Sequence, residues 1–544
     1  MTTHKYIDKI CIAFIVIALL ISSLYIYGAA SGKIRSTDTE ESTESVFSRK
    51  DLDGDWDTSS AVRITLEGKS GTVEGDGAYF SDGDLIIAKA GRYILSGKLT
   101  DGSVIVDAAK KSKVWICLDG AELYCSDSAC LYVKKADKVF VTLAEGSVNS
   151  MESGETYSEE AQEKGIDGVI FSKDDLTING SGSLTVNGAY KHGIAVQDDL
   201  KITGGSLEIT AVSDAIHAKE DIGICEASIS MNAEDDAVHS DTKLYIESGT
   251  LEILSCYEGL EAVEITIDGG DITIYPDDDG INASSGSSDW MKMFIRPGEN
   301  GAENSTDDSK DEEDEELSPI VTVNGGNITI INNEAWDADG IDSNGDIIIN
   351  GGNIFISLTD SGSNNALDYG SESGGVCEIN GGTVVACGSS QMAEEISEDS
   401  QQGFIYCTTV SSSAGVSADA DSEKSAEDGG TELTLTDSDG NVLLQENIPC
   451  SFSCVILSTS KIQNGETYQL LIDGSEAAEV TAGESTKGGF GGGGFGGGHG
   501  GGPGSGGGGF GGGHGGGPGS GFGGGSGNSG GAAKPGGFGS RDNK

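Results

Sequence analysis

The chain has 544 residues, with 89 Asp or Glu against 32 Lys or Arg, a formal net charge of −57. A surface of that sign repels a phosphate backbone and excludes nucleic acid as a partner. It also sets a condition on any acidic ligand, which must be bridged by cations before it can approach.

Taken in chain order, Ile10 to Tyr27 is almost wholly apolar, follows Lys5 and Lys9, and leads into Gly28-Ala29-Ala30-Ser31. That order of segments predicts a signal peptide or an uncleaved membrane anchor over residues 1–30, and either one places residues 31 onward outside the cytoplasm. Without a Cys after the apolar run, a lipoprotein anchor is unsupported. Residues 31–50 read as a linker. The run Asp51-Leu52-Asp53-Gly54-Asp55-Trp56-Asp57 has its Gly in the wrong place for an EF-hand and lacks the twelfth-position Glu, so it reads as a turn. Residues 60–146 alternate as strands, as in Val62–Leu66 and Lys138–Leu143, and read as irregular leading coils with a cap.

Eight cassettes then recur, each a polar, small, apolar, polar and fifth, mostly small, residue. They begin at Asp167, His192, Asp214, Asp236, Glu258, Asp279, Asp339 and Asn365, spaced 25, 22, 22, 22, 21, 60 and 26 residues apart. Two further strands with period-2 alternation follow each cassette, as in Leu244-Tyr245-Ile246 and Leu251-Glu252-Ile253. Gly pairs at 204–205, 269–270, 325–326, 351–352 and 381–382 are expected to supply positive φ at the corners. Three short strands per repeat predict an all-β chain, a right-handed parallel β-helix (a solenoid) over residues 51–420, because no single repeat can bury its own apolar face. The interval of 60 residues is one repeat plus an acidic insertion at 284–319, expected to be a solvated loop. Residues 421–487 read as a small β module with turns at Asp437–Gly440 and Asp473-Gly474. Residues 488–544, rich in Gly, read as a disordered tail, with His499 and His514 only a weak metal signal and its Phe spacers open to a role in cell-wall adhesion or self-association. Eleven Cys are present; Cys11 lies in the apolar segment, Cys450 and Cys454 are near enough to pair, and connectivity is not legible. The sequence leaves the oligomeric state open.

Stacking puts equivalent positions about 4.8 Å apart. The first cassette position then becomes a column with four acidic residues in succession, Asp214, Asp236, Glu258 and Asp279, where neighbouring unit charges repel by roughly 3 kcal/mol at an effective dielectric near 20. Asp235, Asp277, Asp278 and Asp337 crowd the same corner. Either the carboxylates face water or they hold a divalent cation, and oxygen donors favour Ca²⁺ over Zn²⁺. The candidate calcium ligands are Asp214, Asp235, Asp236, Glu258, Asp278, Asp279, Asp337 and Asp339. The fourth cassette position should point outward as a polar strip: Ile170, Ala195, His217, His239, Glu261, Asn282, Asp342 and Asp368, with Lys219, Asp241 and Asn344 two residues on. From it, His217, Lys219, His239, Glu261, Asn282, Asp342 and Asn344 are the candidate carbohydrate contacts.

The segments Gly91-Arg92-Tyr93-Ile94-Leu95-Ser96-Gly97, Val104-Ile105-Val106-Asp107, Leu143-Ala144-Glu145-Gly146-Ser147-Val148-Asn149 and Asp337-Ala338-Asp339-Gly340-Ile341-Asp342-Ser343-Asn344-Gly345 occur in that order. In these, residues 50–483 resemble a bacterial carbohydrate-binding β-helix family whose founding members bind acidic sugar polymers, polygalacturonate in particular. The resemblance implies a fold like that of polysaccharide lyases, bound Ca²⁺ and no catalysis. The acidic insertion and the number of Cys depart from the family pattern. The residues themselves keep three readings open. One is a calcium-dependent binder of acidic polysaccharide. Another is a lyase, for which Lys191 and Lys219 are the conceivable bases, since Arg296 is the only Arg between 165 and 395. The third is a surface adhesin or structural protein with no specific sugar. A hydrolase would need positioned carboxylates such as the Asp198-Asp199 or Asp235-Asp236 doublets, which are commoner as ligands or solvated turns.

Overall fold

A computed structural model describes residues 45–55, 57–285, 317–334, 336–412 and 430–486. The expected signal or anchor segment with Cys11, most of the acidic insertion with Arg296, and the Gly-rich tail with His499 and His514 lie outside the described residues. Among the described residues no helix is long and apolar enough to cross a membrane.

The chain is all-β, with sheets of 25, 12 and 4 strands among the described residues. Each repeat gives one strand to the 12-stranded sheet and two to the 25-stranded sheet, and each strand pairs in parallel with its equivalent one repeat on. Ile216–Ala218 pairs with Val238–Ser240, that with Leu260–Ala262, then Ile281–Ala283, Ile341–Ser343 and Leu367–Tyr369. The register sets His217, His239, Glu261, Asn282, Asp342 and Asp368 side by side in one row. The insertion leaves this pairing unbroken, because Ala283 pairs directly with Ser343 and Ile267 with Val323.

The first cassette is one residue out of the expected register. Gly168, not Asp167, lies level with His192, and Phe171, not Ile170, lies level with Ala195. The reason is a second apolar cover. Gly168–Ser172 is buried along its whole length, because Tyr132, Tyr157, Ala161 and Ile166 pack over Phe171 and Ala195 on the outer face. Alternation cannot set a register where both faces are apolar.

Inside the stack, columns of Ile, Leu and Val form one continuous core that runs from Ile64 to Ile456. Full burial of each such side chain stabilises by about 1.5–3 kcal/mol. The Gly pairs divide two tasks. Gly326, Gly352 and Gly382 have φ of 90°, 88° and 86°. Gly351 instead sits where an added Cβ would lie 2.3 Å from the carbonyl oxygen of Asn324 on the neighbouring repeat. One Gly makes the turn and the other permits the close approach.

Antiparallel pairing marks both ends of the stack. Val62–Gly68 pairs antiparallel with Ser70–Glu74 at the start, and Cys454–Ser458 pairs antiparallel with Thr383–Gly388 and Phe404–Cys407 at the finish. Thr431–Thr436, Val442–Ile448, Thr467–Ile472 and Ser475–Thr481 make the four-stranded antiparallel sheet. Its Leu433, Leu435 and Leu470 share a core with Val385, Cys387 and Ile405.

Two expectations change here. Phe47 falls in the stretch read as a linker, yet it is buried and packs 6.0 Å from the ring of Tyr245. The ten cysteines of the described residues are all free and buried. Cys450 Sγ lies against the carbonyl oxygen of Ser357 at 3.2 Å rather than pairing with Cys454.

Candidate functional site

The cassette's first residue closes the corner before a three-residue strand. At Asp279 and Asp339 a side-chain Oδ1 accepts the backbone N–H of the same position one repeat on, from Asp339 at 2.8 Å and from Asn365 at 2.7 Å. Asp236 N–H makes a longer contact to Asp214 Oδ1, at 3.4 Å. A short carboxylate is the side chain that reaches that amide, so part of the acidic repetition is corner support.

The remaining oxygens turn toward the outer row, and the two predicted columns merge into one. Asp214 Oδ2 lies 2.7 Å from His217 Nδ1 and 3.1 Å from His192 Nδ1. The His192 contact lies off the hydrogen-bonding direction and leaves that buried nitrogen without a hydrogen-bond partner. Asp236 Oδ2 lies 3.0 Å from His239 Nδ1, and Glu261 Oε2 lies 2.6 Å from the same nitrogen. His217 and His239 stack with centroids 4.7 Å apart and planes within 6°. His217, His239 and Glu261 thus engage one another and the first column instead of standing on an independent outer face.

Electrostatics divide the site into two halves. In the histidine half, burial opposes ionisation of Asp214, but His192 and His217 hold its carboxyl well below the usual carboxylate range. Burial also disfavours a charged His239, yet the hydrogen bonds it donates to Asp236 and Glu261 push it up to about 11. Glu261 is buried too, and contact with His239 keeps it below its ordinary value. Asp236, buried beside Glu261, is raised to about 7.

The other half holds carboxylates with no cationic side chain paired to them among the described residues. Glu258, Asp278 and Asp279 bring one oxygen each within 4.8 Å of one another. Burial, then repulsion from Glu261 and Asp236, pushes Glu258 up to about 8. Burial, then Asp342, Asp278 and Glu258, pushes Asp279 to about 8. Asp339 rises to about 9 through burial and Asp279, and Asp342 to about 7 through burial and Asp368. Among the described residues no Lys, Arg or His makes an ion pair with these groups.

The candidate calcium ligands therefore separate. Asp214, Asp235 and Asp236 form one tight cluster and Glu258, Asp278 and Asp279 another. Asp337 is exposed and accepts a hydrogen bond from Ser363 Oγ, while Asp339 joins the second cluster through its repulsion with Asp279. Of the candidate sugar contacts, Lys219 and Asn344 are exposed. Asn282 is only 8% exposed, which takes it off the outer face; its Nδ2 donates to Glu258 Oε2 at 2.9 Å. Its Oδ1 is buried with no hydrogen-bond partner. Periodicity missed Glu394, which lies after the last cassette and accepts hydrogen bonds from Ser371 Oγ and the Tyr369 N–H. No repeat signal marks it.

Residues 81–383 of the 544 match the family model described as "Carbohydrate-binding domain-containing protein". The chain belongs to this carbohydrate-binding family. A carbohydrate-binding domain-containing protein of Acetivibrio thermocellus is 32% identical over 137 residues, which are 25% of this chain and 48% of that protein. The chain thus spans about half the length of that curated relative. Among solved structures, a polysaccharide lyase-like protein from C. thermocellum, as a gadolinium derivative, is similar with a TM-score of 0.38 and 23% identity. The match covers 53% of this chain and 96% of that one.

Proposed function

We propose that this family member is an exported, calcium-dependent binder of acidic polysaccharide, such as polygalacturonate, that performs no catalysis. Its frame in this reading is a right-handed parallel β-helix, in keeping with the parallel pairing of every repeat.

One observation carries the calcium reading. Glu258, Asp278 and Asp279 converge with no counter-cation among the described residues, beside an Asn282 amide oxygen that is buried and unpartnered. These donors are all hard oxygens, the set Ca²⁺ takes at about 2.3–2.6 Å with six to eight ligands. A divalent ion there would replace the protons that burial now favours and leave coordination positions for a uronate carboxylate. Such a bridge is what a chain of charge −57 needs to hold a polyanion. Tyr257 and Trp336, 48% and 72% exposed, offer apolar faces for sugar rings, and Asp278 is hydrogen-bonded to Tyr257.

The lyase reading has less support. Lys191 and Lys219, its conceivable bases, are both exposed, whereas a Lys becomes a useful base when desolvation lowers its pKa. The test is binding of the full chain to polygalacturonate with Ca²⁺ and then with a chelator, while ultraviolet absorbance is followed for unsaturated product. Calcium-dependent binding without product is expected. Growing absorbance would make the protein a lyase, and no binding in either condition would favour an adhesin without a sugar ligand.

A further inference from the structure

We infer that the chain carries a second glycan site, a groove for a run of neutral pyranose sugars, set between the outer face of the 25-stranded sheet and the small β module, with Tyr275 as its platform. The site lies apart from the calcium-bridged strip. It rests on membership of the carbohydrate-binding family and not on the calcium reading.

Register places the platform. Ile253, Ile274 and Ile330 are partners on neighbouring repeats and are fully buried. The residues that follow them, Leu254, Tyr275 and Ile331, therefore share one outer row. Leu254 and Tyr275 are 44% and 43% exposed. The strand Thr250–Cys256 also bulges here: Ile253 pairs with Ile274 but Cys256 with Pro276, which leaves one extra residue beside Leu254. Bulges of this kind re-aim side chains and are enriched next to sites. Of the four exposed aromatic side chains among the described residues, Tyr79, Tyr257, Tyr275 and Trp336, three fall on these adjacent repeats. Scattered exposed apolar side chains need no account, but a row with aromatics gathered beside it does.

That row lines a groove of about 440 Å³, within the range of about 300–1,000 Å³ typical of small-ligand sites. The β module supplies part of its wall through Asn447 and Pro449. Buried contacts fix that wall: the Cys450 N–H donates to Ser357 Oγ and the Cys450 thiol to the Ser357 carbonyl, both at 3.2 Å. Beneath it, buried Asn332 ties neighbouring repeats together, its Nδ2 donating to the Pro276 carbonyl at 2.8 Å. A groove held this way needs little ordering when it is filled. The rim selects the occupant. Asp277, Glu334 and Asn447 are exposed around the apolar row, and among the described residues that line the groove there is no Lys, Arg or His. Carboxylates accept hydrogen bonds from sugar hydroxyls, and an aromatic face packs on the C–H face of a pyranose. A uronate would meet only like charge. The fit is to a neutral sugar chain. Asp277 lines the groove and the next residue, Asp278, belongs to the oxygen cluster, so a glycan with acidic and neutral stretches has both sites within reach.

The experiment is affinity electrophoresis of the full chain in gels containing soluble xyloglucan, galactan or mixed-linkage glucan, all in chelator so that the calcium cluster is silent. Retardation by at least one of these neutral polymers is expected. Tyr275→Ala should weaken that binding about tenfold or more, and Leu254→Asn should weaken it as well. Tyr275→Phe should keep it, since the ring and not the hydroxyl forms the platform, and so should Asp278→Asn. Both Tyr275 and Leu254 are exposed, so their replacement leaves the core intact, which thermal melting checks. No retardation by any of the three polymers would overturn the proposal, as would retardation that Tyr275→Ala and Leu254→Asn leave unchanged. A changed oligomeric state of Tyr275→Ala in sedimentation, with sugar affinity unaltered, would assign the groove to a second copy of the chain and overturn it too. None of these outcomes bears on calcium-dependent binding of polygalacturonate.

Discussion

Asp51 shows how one side chain outside the repeats can tie a segment to them. It is 2% exposed, lies 2.9 Å from Lys138 Nζ and accepts from Thr177 Oγ1 at 2.6 Å and from the Ser48 N–H at 2.8 Å. Burial alone would raise its pKa, but Ser48, Thr177 and Lys138 together lower it below 3.8. A depressed folded-state pKa gives stability that is present above the unfolded value and is lost as pH falls through the folded one. Asp51→Ala should loosen residues 45–55 by about 3–5 kcal/mol, the usual cost of orphaning one partner of a buried pair. Hydrogen exchange confined to that segment is the readout. Unchanged protection would mean that Phe47 alone holds it. The uncompensated column has the opposite sign. Glu258 is raised from 4.5 to about 8 and Asp339 from 3.8 to about 9. Without metal, the stability these groups confer when protonated should fall as pH rises from about 4 to about 9. Thermal melts in chelator should show that decline, and added Ca²⁺ should reverse it at the alkaline end. A melting temperature independent of pH over that window would contradict the burial of the column.

At the scale of the element, three-residue strands stay in place because each buries a large apolar residue between two neighbours, often with a small one such as Ala218 or Ala283 beside it. Ile281 is fully buried and pairs with Leu260 on one side and Ile341 on the other. Ile281→Ala should cost about 2–5 kcal/mol, measured by denaturant unfolding, whereas the same change at exposed Val442 should cost well under 1 kcal/mol. Period-2 alternation made the outer row from His217 to Asp368 legible, since only one face of those strands is apolar. It failed at Gly168–Ser172, where Phe171 meets a second apolar layer from Tyr157 and Ile166. The merging of the two columns was hidden for a different reason. Spacing reports which residues share a position, but the reach of Asp214 back to His217 is a matter of rotamer. Asn282 was likewise assigned to solvent by its position, and only packing shows that its amide turns toward Glu258.

For the whole molecule, repetition multiplies one local choice into a long acidic strip with two chemistries along it. The half with His192, His217 and His239 balances its carboxylates with imidazoles. Among the described residues Glu258, Asp278, Asp279, Asp339 and Asp342 have no such partner, and there the chain of charge −57 is most in need of an external cation. Composition and repeat spacing reveal that need, while the division between the halves emerges only once the repeats are stacked. The most direct test of the central claim is the affinity of the full chain for polygalacturonate with and without Ca²⁺, repeated with Asp278→Asn and Asp279→Asn combined. The account predicts saturable binding that chelator abolishes and that the double substitution weakens at least about tenfold, a change of about 1.4 kcal/mol. Equal binding in chelator, or by the substituted chain, would contradict it.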